Sequence, residues 1–257
     1  MELGLKAKSV VVTGGSRGIG RACAQAFLAE GARVAIVSRS EANLQAAARS
    51  LPDVVCIAAD LTAAQAAQDM ASRVQAVLGS IDILVNSAGA ARRYLPADLN
   101  AQAWHAAMDA KYFTYIHAMD ALLPGMAARG CGAVVNIIGM GGKVASSIHL
   151  PGGAANSALM LATVGLAHVY GPKGVRVNAI NPGATMGERL VEALKLEAKT
   201  RGVTEEEVLA QGKAKVPLRR YAAAEDIANL TLFLASEKAA YITGAIVPMD
   251  GGSNPVL

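Results

Sequence analysis

Residues 10–27 read VVVTGGSRGIGRACAQAF. A run of β-branched residues ends in a glycine-rich turn, and an alanine-rich segment of helical length opens directly behind it. In that order, strand then turn then helix, Gly14, Gly18 and Gly20 let backbone amides and a helix N-terminus approach a pyrophosphate, where a Cβ would collide with the ligand or the turn. A glycine-rich turn alone is a weak signal; this one has the flanks that give it meaning. With Ser16, Arg17 and Ile19 between the glycines, the loop is predicted to hold the diphosphate of a dinucleotide.

The same alternation continues outward from this stretch. SVVVTGG, ARVAIVSR, DVVCIAAD, IDILVNSAG, GAVVNIIG, VRVNAINPG and AIVPMDGG are seven apolar runs without polar alternation, and alanine-rich segments of helical length separate them. Strands of that kind are covered on both faces, so the expected fold is α/β: a doubly wound, seven-stranded parallel sheet, Rossmann-like. A chain of 257 residues that is 53% hydrophobic can bury its core as one domain. Ligands of such sheets sit at the carboxyl ends of the strands.

Other function classes find little support. The formal charge of +4 comes from Lys and Arg scattered along the chain, which argues against a nucleic-acid role. Cys23, Cys56 and Cys131 stand far apart, without zinc or CxxC spacing, and read as buried reduced thiols; no metal site is expected. The N-terminus runs into a strand without a signal sequence, and no apolar run is read as long enough to cross a membrane. A cytoplasmic protein is expected. One charged helical segment, 187–216, interrupts this texture; Thr204 with Glu207 three residues on has the form of a capping box, and the segment reads either as a lid over the site or as a plain surface helix pair.

The TGxxxGxG form of TGGSRGIG resembles the signature of the short-chain dehydrogenase/reductase family. Further matches cover nearly the whole chain: Asp60-Leu61, the Asn86-Ser87-Ala88-Gly89 turn, RVNAINPG (176–183) and the closing YITGAIVPMDGG (241–252). The resemblance implies a nicotinamide dinucleotide with its adenine edge at Asp60 and Leu61. It further implies contacts at Asn86, Ala88 and Gly89, and the nicotinamide beside Pro182 and Gly183. It also implies a small carbonyl or alcohol substrate and a homodimer or homotetramer in which the helices carrying Lys111 and Ser157 meet their symmetry mates. After the second strand stand Ser38 and Arg39 rather than a carboxylate, and Arg17 adds a cation, so NADP(H) is favoured over NAD(H).

The family's acid/base residues are not found where they are sought. A tyrosine with a lysine four residues later is expected on one helix; matching GGAANSALMLA to it places Ser157 at the tyrosine and Leu161 at the lysine, and neither can do that work. The substrate-holding serine becomes Gly139 by local matching, or Val144 by counting back from the helix. Ser146, Ser147 and His149 lie in the intervening loop. The family's asparagine becomes Lys111, whose ammonium could enter the space left by Leu161, with burial and a cationic cofactor ring making it a more useful acid. Three readings follow: an NADP-dependent oxidoreductase using Lys111 with His149, Ser147 or an ordered water; a dinucleotide-binding sensor or partner subunit; and a lyase or isomerase with Lys111 as base.

Overall fold

Each of the seven apolar runs forms a strand: β1 (Ser9–Thr13), β2 (Arg33–Ser38), β3 (Val55–Ala58), β4 (Ile83–Asn86), β5 (Gly132–Ile137), β6 (Val175–Pro182) and β7 (Ile246–Met249). The computed structural model describes residues 2–89 and 92–254. All strand pairs are parallel, in the order β3-β2-β1-β4-β5-β6-β7. The order reverses between β1 and β4, and the chain leaves those two strands in opposite directions, which opens a crevice at their carboxyl ends.

Side chains alternate across the pleat, so each strand feeds two cores. Val11, Leu84, Val134 and Val177 pack on one face with α3 (Ala64–Leu78), α5 (Thr114–Arg129) and α6 (Leu150–Tyr170). Val10, Val12, Val85 and Val135 pack on the other with α1 (Gly18–Ala29) and α9 (Ala224–Ala235), where Phe27 and Ile227 are fully buried. Deleting the Phe27 ring would cost about 3–5 kcal/mol. The remaining helices are α2 (Glu41–Ala48), α4 (Ala101–Ala107), α7 (Glu188–Arg201) and α8 (Glu205–Ala214).

Two local features were not expected. Between α4 and α5 the chain makes a π-helical turn, Met108–Phe113, which inserts an extra residue into an otherwise continuous helix and re-aims Lys111. With the turn that follows it, α6 (Leu150–Lys173) is long and apolar enough to span a bilayer, which corrects the reading that no such run exists. Here it packs along β6 with Ala155, Leu159, Thr163 and Ala167 buried.

The charged segment forms α7 and α8, joined by a small cluster of Leu194, Ala198 and Val208. The expected capping box is present: Thr204 Oγ1 accepts from Glu207 N at 3.1 Å, and the Glu207 carboxylate accepts from Thr204 N at 2.9 Å.

Candidate active site

The crevice is an elongated cleft of about 860 Å³ along the carboxyl ends of β1 to β6. Ser38, Arg39, Asp60 and Leu61 line its β2–β3 end; Gly14, Ser16, Arg17, Gly18 and Ile19 lie at its middle beneath α1. Ala88 and Gly89 lead to the β5–β6 end, which is formed by Lys111, Ile137, Ile138, Gly139, Pro182 and Gly183. Thirteen of the expected cofactor residues therefore share one surface.

The loop meets the requirements of a dinucleotide. Gly14 and Gly18 have φ of +67° and +54°, and a Cβ on Gly14 would lie 2.7 Å from the Ser87 carbonyl oxygen. A Cβ on Gly18 would point into open space, so there the backbone conformation demands glycine and leaves room for a ligand. Arg17, the N-cap of α1, makes no side-chain capping bond, so the first amides of the helix remain available to an anion. Arg17 Nη1 pairs with Glu188 Oε2 at 3.3 Å, linking the glycine loop to α7. Met186, Gly187, Glu188, Leu190 and Glu192 close that side of the cleft.

Two expected cofactor residues act from behind the surface. Gly20 is not on the cleft; a Cβ there would strike the Gly14 carbonyl, so its role is close packing of α1 on the loop. Asn86 is fully buried, donates to Asn136 Oδ1 at 3.0 Å and accepts from Thr13 Oγ1 at 3.2 Å. Thr13 Oγ1 in turn accepts from the amides of Ser87 and Ala88. Asn136 continues to Thr163 Oγ1 at 3.0 Å, so a chain of buried polar groups ties β1, β4, β5 and α6 together and fixes the turn.

The chemistry-bearing residues fall differently from expectation. Ser157 is exposed and its hydroxyl faces the carbonyls of Gly142 (2.6 Å) and Gly153 (3.2 Å), off the cleft. Leu161 is 76% exposed on the outer face of α6. Gly152 and Asn156 lie four residues apart on the buried face of that helix, one of several such pairs there. The Asn156 amide nitrogen lies 3.3 Å from where a Gly139 Cβ would stand. Gly139 is held by its own amide on Asn181 Oδ1 at 3.3 Å, whereas Val144 lies out of the cleft. Ser146 and Ser147 are exposed in the loop, also off the cleft.

Lys111 is at the site. It is only 8% exposed, and its Nζ donates to the Ile137 carbonyl at 3.0 Å and to the Tyr115 hydroxyl at 2.6 Å. Tyr115 Oη donates to the same Ile137 oxygen at 2.5 Å, so the last carbonyl of β5 collects both groups. Sequence reasoning missed Tyr115, although the Lys111–Tyr115 spacing of four was visible in KYFTY. His149 lies beside Gly141, its Cδ2 3.3 Å from the position of a Cβ there, and its buried Nδ1 has no hydrogen-bond partner. Burial, with Arg93 and Lys111 nearby, pushes its pKa below the usual histidine value.

A parallel sheet with its order reversed at a glycine-rich crevice, and a polar end opposite, is the architecture of a nicotinamide-dinucleotide oxidoreductase. The sequence model of the family described as "Enoyl-(Acyl carrier protein) reductase" matches residues 14–254, and the chain belongs to the short-chain dehydrogenase/reductase family. It is 35% identical to 2-(S)-hydroxypropyl-CoM dehydrogenase 3 of Xanthobacter autotrophicus, over 98% of each chain. Its structure matches L-sorbose reductase of Gluconobacter frateurii, solved with NADPH and L-sorbose, at a TM-score of 0.94, 30% identity and full coverage of both chains. A short-chain oxidoreductase from Pseudomonas aeruginosa PAO1, solved with NADPH and described as containing an atypical catalytic center, matches at 0.87 and 30% identity over 97% of this chain and 98% of that one. The protein is an NAD(P)-dependent oxidoreductase of this type.

Proposed function

We propose that the protein is an NADP-dependent oxidoreductase that interconverts a small carbonyl compound and its alcohol, with Lys111 handling the proton. The observation that carries this is the Lys111 ammonium, buried at the nicotinamide end of the cleft and held there by Ile137 and Tyr115. On the helix register described above, the family's tyrosine and lysine positions fall on Gly152 and Asn156, and its serine position on Gly139. None of those three offers an acidic proton. The bound cofactor supplies the hydride; Lys111 donates to the carbonyl oxygen during reduction and, deprotonated, takes the proton back during oxidation. Tyr115 and the Ile137 carbonyl orient the amine, and Ile138, Met186 and Leu190 supply apolar wall to the cleft.

Arg39 and Ser38, with no carboxylate at the end of β2, support NADP over NAD, and two of the solved relatives hold NADPH. The helix pair α7–α8 acts as the lid. A two-fold homo-oligomer, cytoplasmic in location, belongs to the same proposal: Leu161 and Val164 are exposed on one face of α6, and Trp104 and Phe113 are exposed on the helix beside it.

The second reading, a dinucleotide-binding sensor without turnover, is favoured by Gly139, Gly152 and Asn156 alone. Absorbance of the reduced nicotinamide over a panel of carbonyl compounds separates the two. Turnover that vanishes in Lys111→Met supports the oxidoreductase, and tight NADPH binding without turnover on any of them supports the sensor.

A further inference from the structure

A lysine that is to give up a proton has first to hold it, and Lys111 must do so where an ammonium is disfavoured. Its side chain is only 8% exposed, and burial favours the neutral amine over the charged form. A neutral amine cannot protonate a carbonyl oxygen. Against burial stands a closed triangle of hydrogen bonds: Lys111 Nζ donates to the Ile137 carbonyl at 3.0 Å and to Tyr115 Oη at 2.6 Å, and Tyr115 Oη donates to the same carbonyl. Nζ also stands 4.3 Å from the centre of the Tyr115 ring, within range of a cation–π attraction.

Tyr115 is placed to act on the amine and not on a substrate. It is fully buried and takes no part in the cleft wall, whereas Lys111 lines it. The other titratable and charged groups around this turn are engaged differently. Asp109 and His105 are exposed, Tyr112 lies edge-on to Phe113, and His117 Nδ1 bonds the Leu61 carbonyl. Arg93 on the cleft wall and His149 at the start of α6 add positive charge near Lys111, or would on protonation, and so oppose its ammonium. On the α7 side of the cleft, Glu188 is paired with Arg17, and Glu192 is exposed. Replacing Tyr115 by phenylalanine alters none of these groups.

We propose that Tyr115 is a positioning residue that sets the charge of Lys111: its hydroxyl, by accepting from the ammonium, keeps the buried amine protonated until a carbonyl takes the proton. This rests on the oxidoreductase reading and deepens it. Reduction moves one proton from Nζ to the carbonyl oxygen as hydride reaches the carbon, and leaves a neutral amine. The bond from Nζ to Tyr115 is then weaker, because a hydrogen bond from an ion is roughly twice as strong as one from a neutral donor. That difference favours the charged form by about one pH unit in the midpoint at which Lys111 loses its proton.

Tyr115→Phe isolates the hydroxyl, since it keeps the ring, its packing and its π face, and leaves the bond from Nζ to Ile137. With lysine isotope-labelled at Cε and Lys111 assigned by its loss in Lys111→Met, NMR gives the Lys111 midpoint in the full chain without cofactor. The midpoint should fall by about one unit in Tyr115→Phe. The pH at which NADPH oxidation by a carbonyl substrate declines should fall with it, with the plateau kcat lowered by less than about tenfold and NADPH affinity unchanged. An unchanged or raised midpoint overturns the proposal. So does a plateau as low as that of Lys111→Met, which would make the phenol itself the proton donor. Failure of the oxidoreductase reading would look different: the midpoint would still fall in Tyr115→Phe, and neither protein would oxidise NADPH with a carbonyl compound at any pH.

Discussion

Replacing Arg39 by alanine should weaken NADPH about tenfold and leave NADH unchanged. Arg39 follows the last residue of β2, at the end of the cleft where the adenosine ribose of a dinucleotide would lie, and neither Ser38 nor Arg39 offers the carboxylate that would bind ribose hydroxyls. A charge-assisted hydrogen bond contributes about 1.5–3 kcal/mol, and at an open rim the low end applies, which converts to about tenfold in affinity. Arg17 adds less, because it must first leave Glu188. Both side chains of that pair are well exposed, at 64% and 77%, so the pair itself is worth at most about 1 kcal/mol. Glu188→Gln should accordingly tighten NADPH by no more than about fivefold. Calorimetry with both cofactors on the three proteins is the assay. Equal affinity for NADPH and NADH in the parent, or an unchanged NADPH affinity in Arg39→Ala, would refute the reasoning.

Leu161→Glu should shift the protein from oligomer to monomer in light scattering at micromolar concentration while leaving its unfolding midpoint nearly unchanged, since the side chain is 76% exposed in its own chain; a monomeric parent would remove the interface. Burial pushes the Cys23 thiol up to about 12 from 9.0. The folded state therefore holds this proton where the unfolded chain has lost it, and stability should fall by at most about 1.4 kcal/mol per pH unit from this group as pH rises from 9 towards 12, a decline that Cys23→Ala should lessen in denaturant titrations. In the native protein at pH 8, mass spectrometry after iodoacetamide treatment should find the exposed Cys131 alkylated and Cys23 untouched; a modified Cys23 would contradict its burial.

The sheet was legible because each of its strands is covered on both faces and so reads as an uninterrupted apolar run, and the glycine loop because its neighbours on both sides obey the same grammar. Those two facts placed the glycine loop on the cleft, and the family resemblance supplied the positions at Asp60, Leu61, Ala88, Gly89, Pro182 and Gly183 that share its wall. Asn86 was misplaced for a physical reason: a polar side chain at a strand end suits a ligand contact and a buried hydrogen-bond hub equally, and only its bonds to Thr13 and Asn136 decide. The register of α6 was misread because that helix carries no charged residue to mark its outer face. With Leu161 outward and Asn156 inward, its polarity is inverted relative to an ordinary surface helix. Lys111 was legible as a residue out of pattern, but its aim was not. The π-helical turn that directs it leaves no compositional trace, and the spacing of four to Tyr115 in KYFTY does not by itself say that the two side chains bond.

The central claim is that Lys111 supplies the proton at the cleft, and Lys111→Met tests it most directly. The substitution keeps the apolar stem and removes the ammonium, and Tyr115 can still donate to the Ile137 carbonyl, so no buried donor is stranded and the fold should persist. The measurement is kcat for NADPH oxidation by a carbonyl substrate of the parent enzyme, with NADPH affinity determined on the same preparations. A fall in kcat of about a hundred- to ten-thousand-fold, at unchanged NADPH affinity, is the predicted result. A Lys111→Met protein that keeps the parent kcat would contradict it.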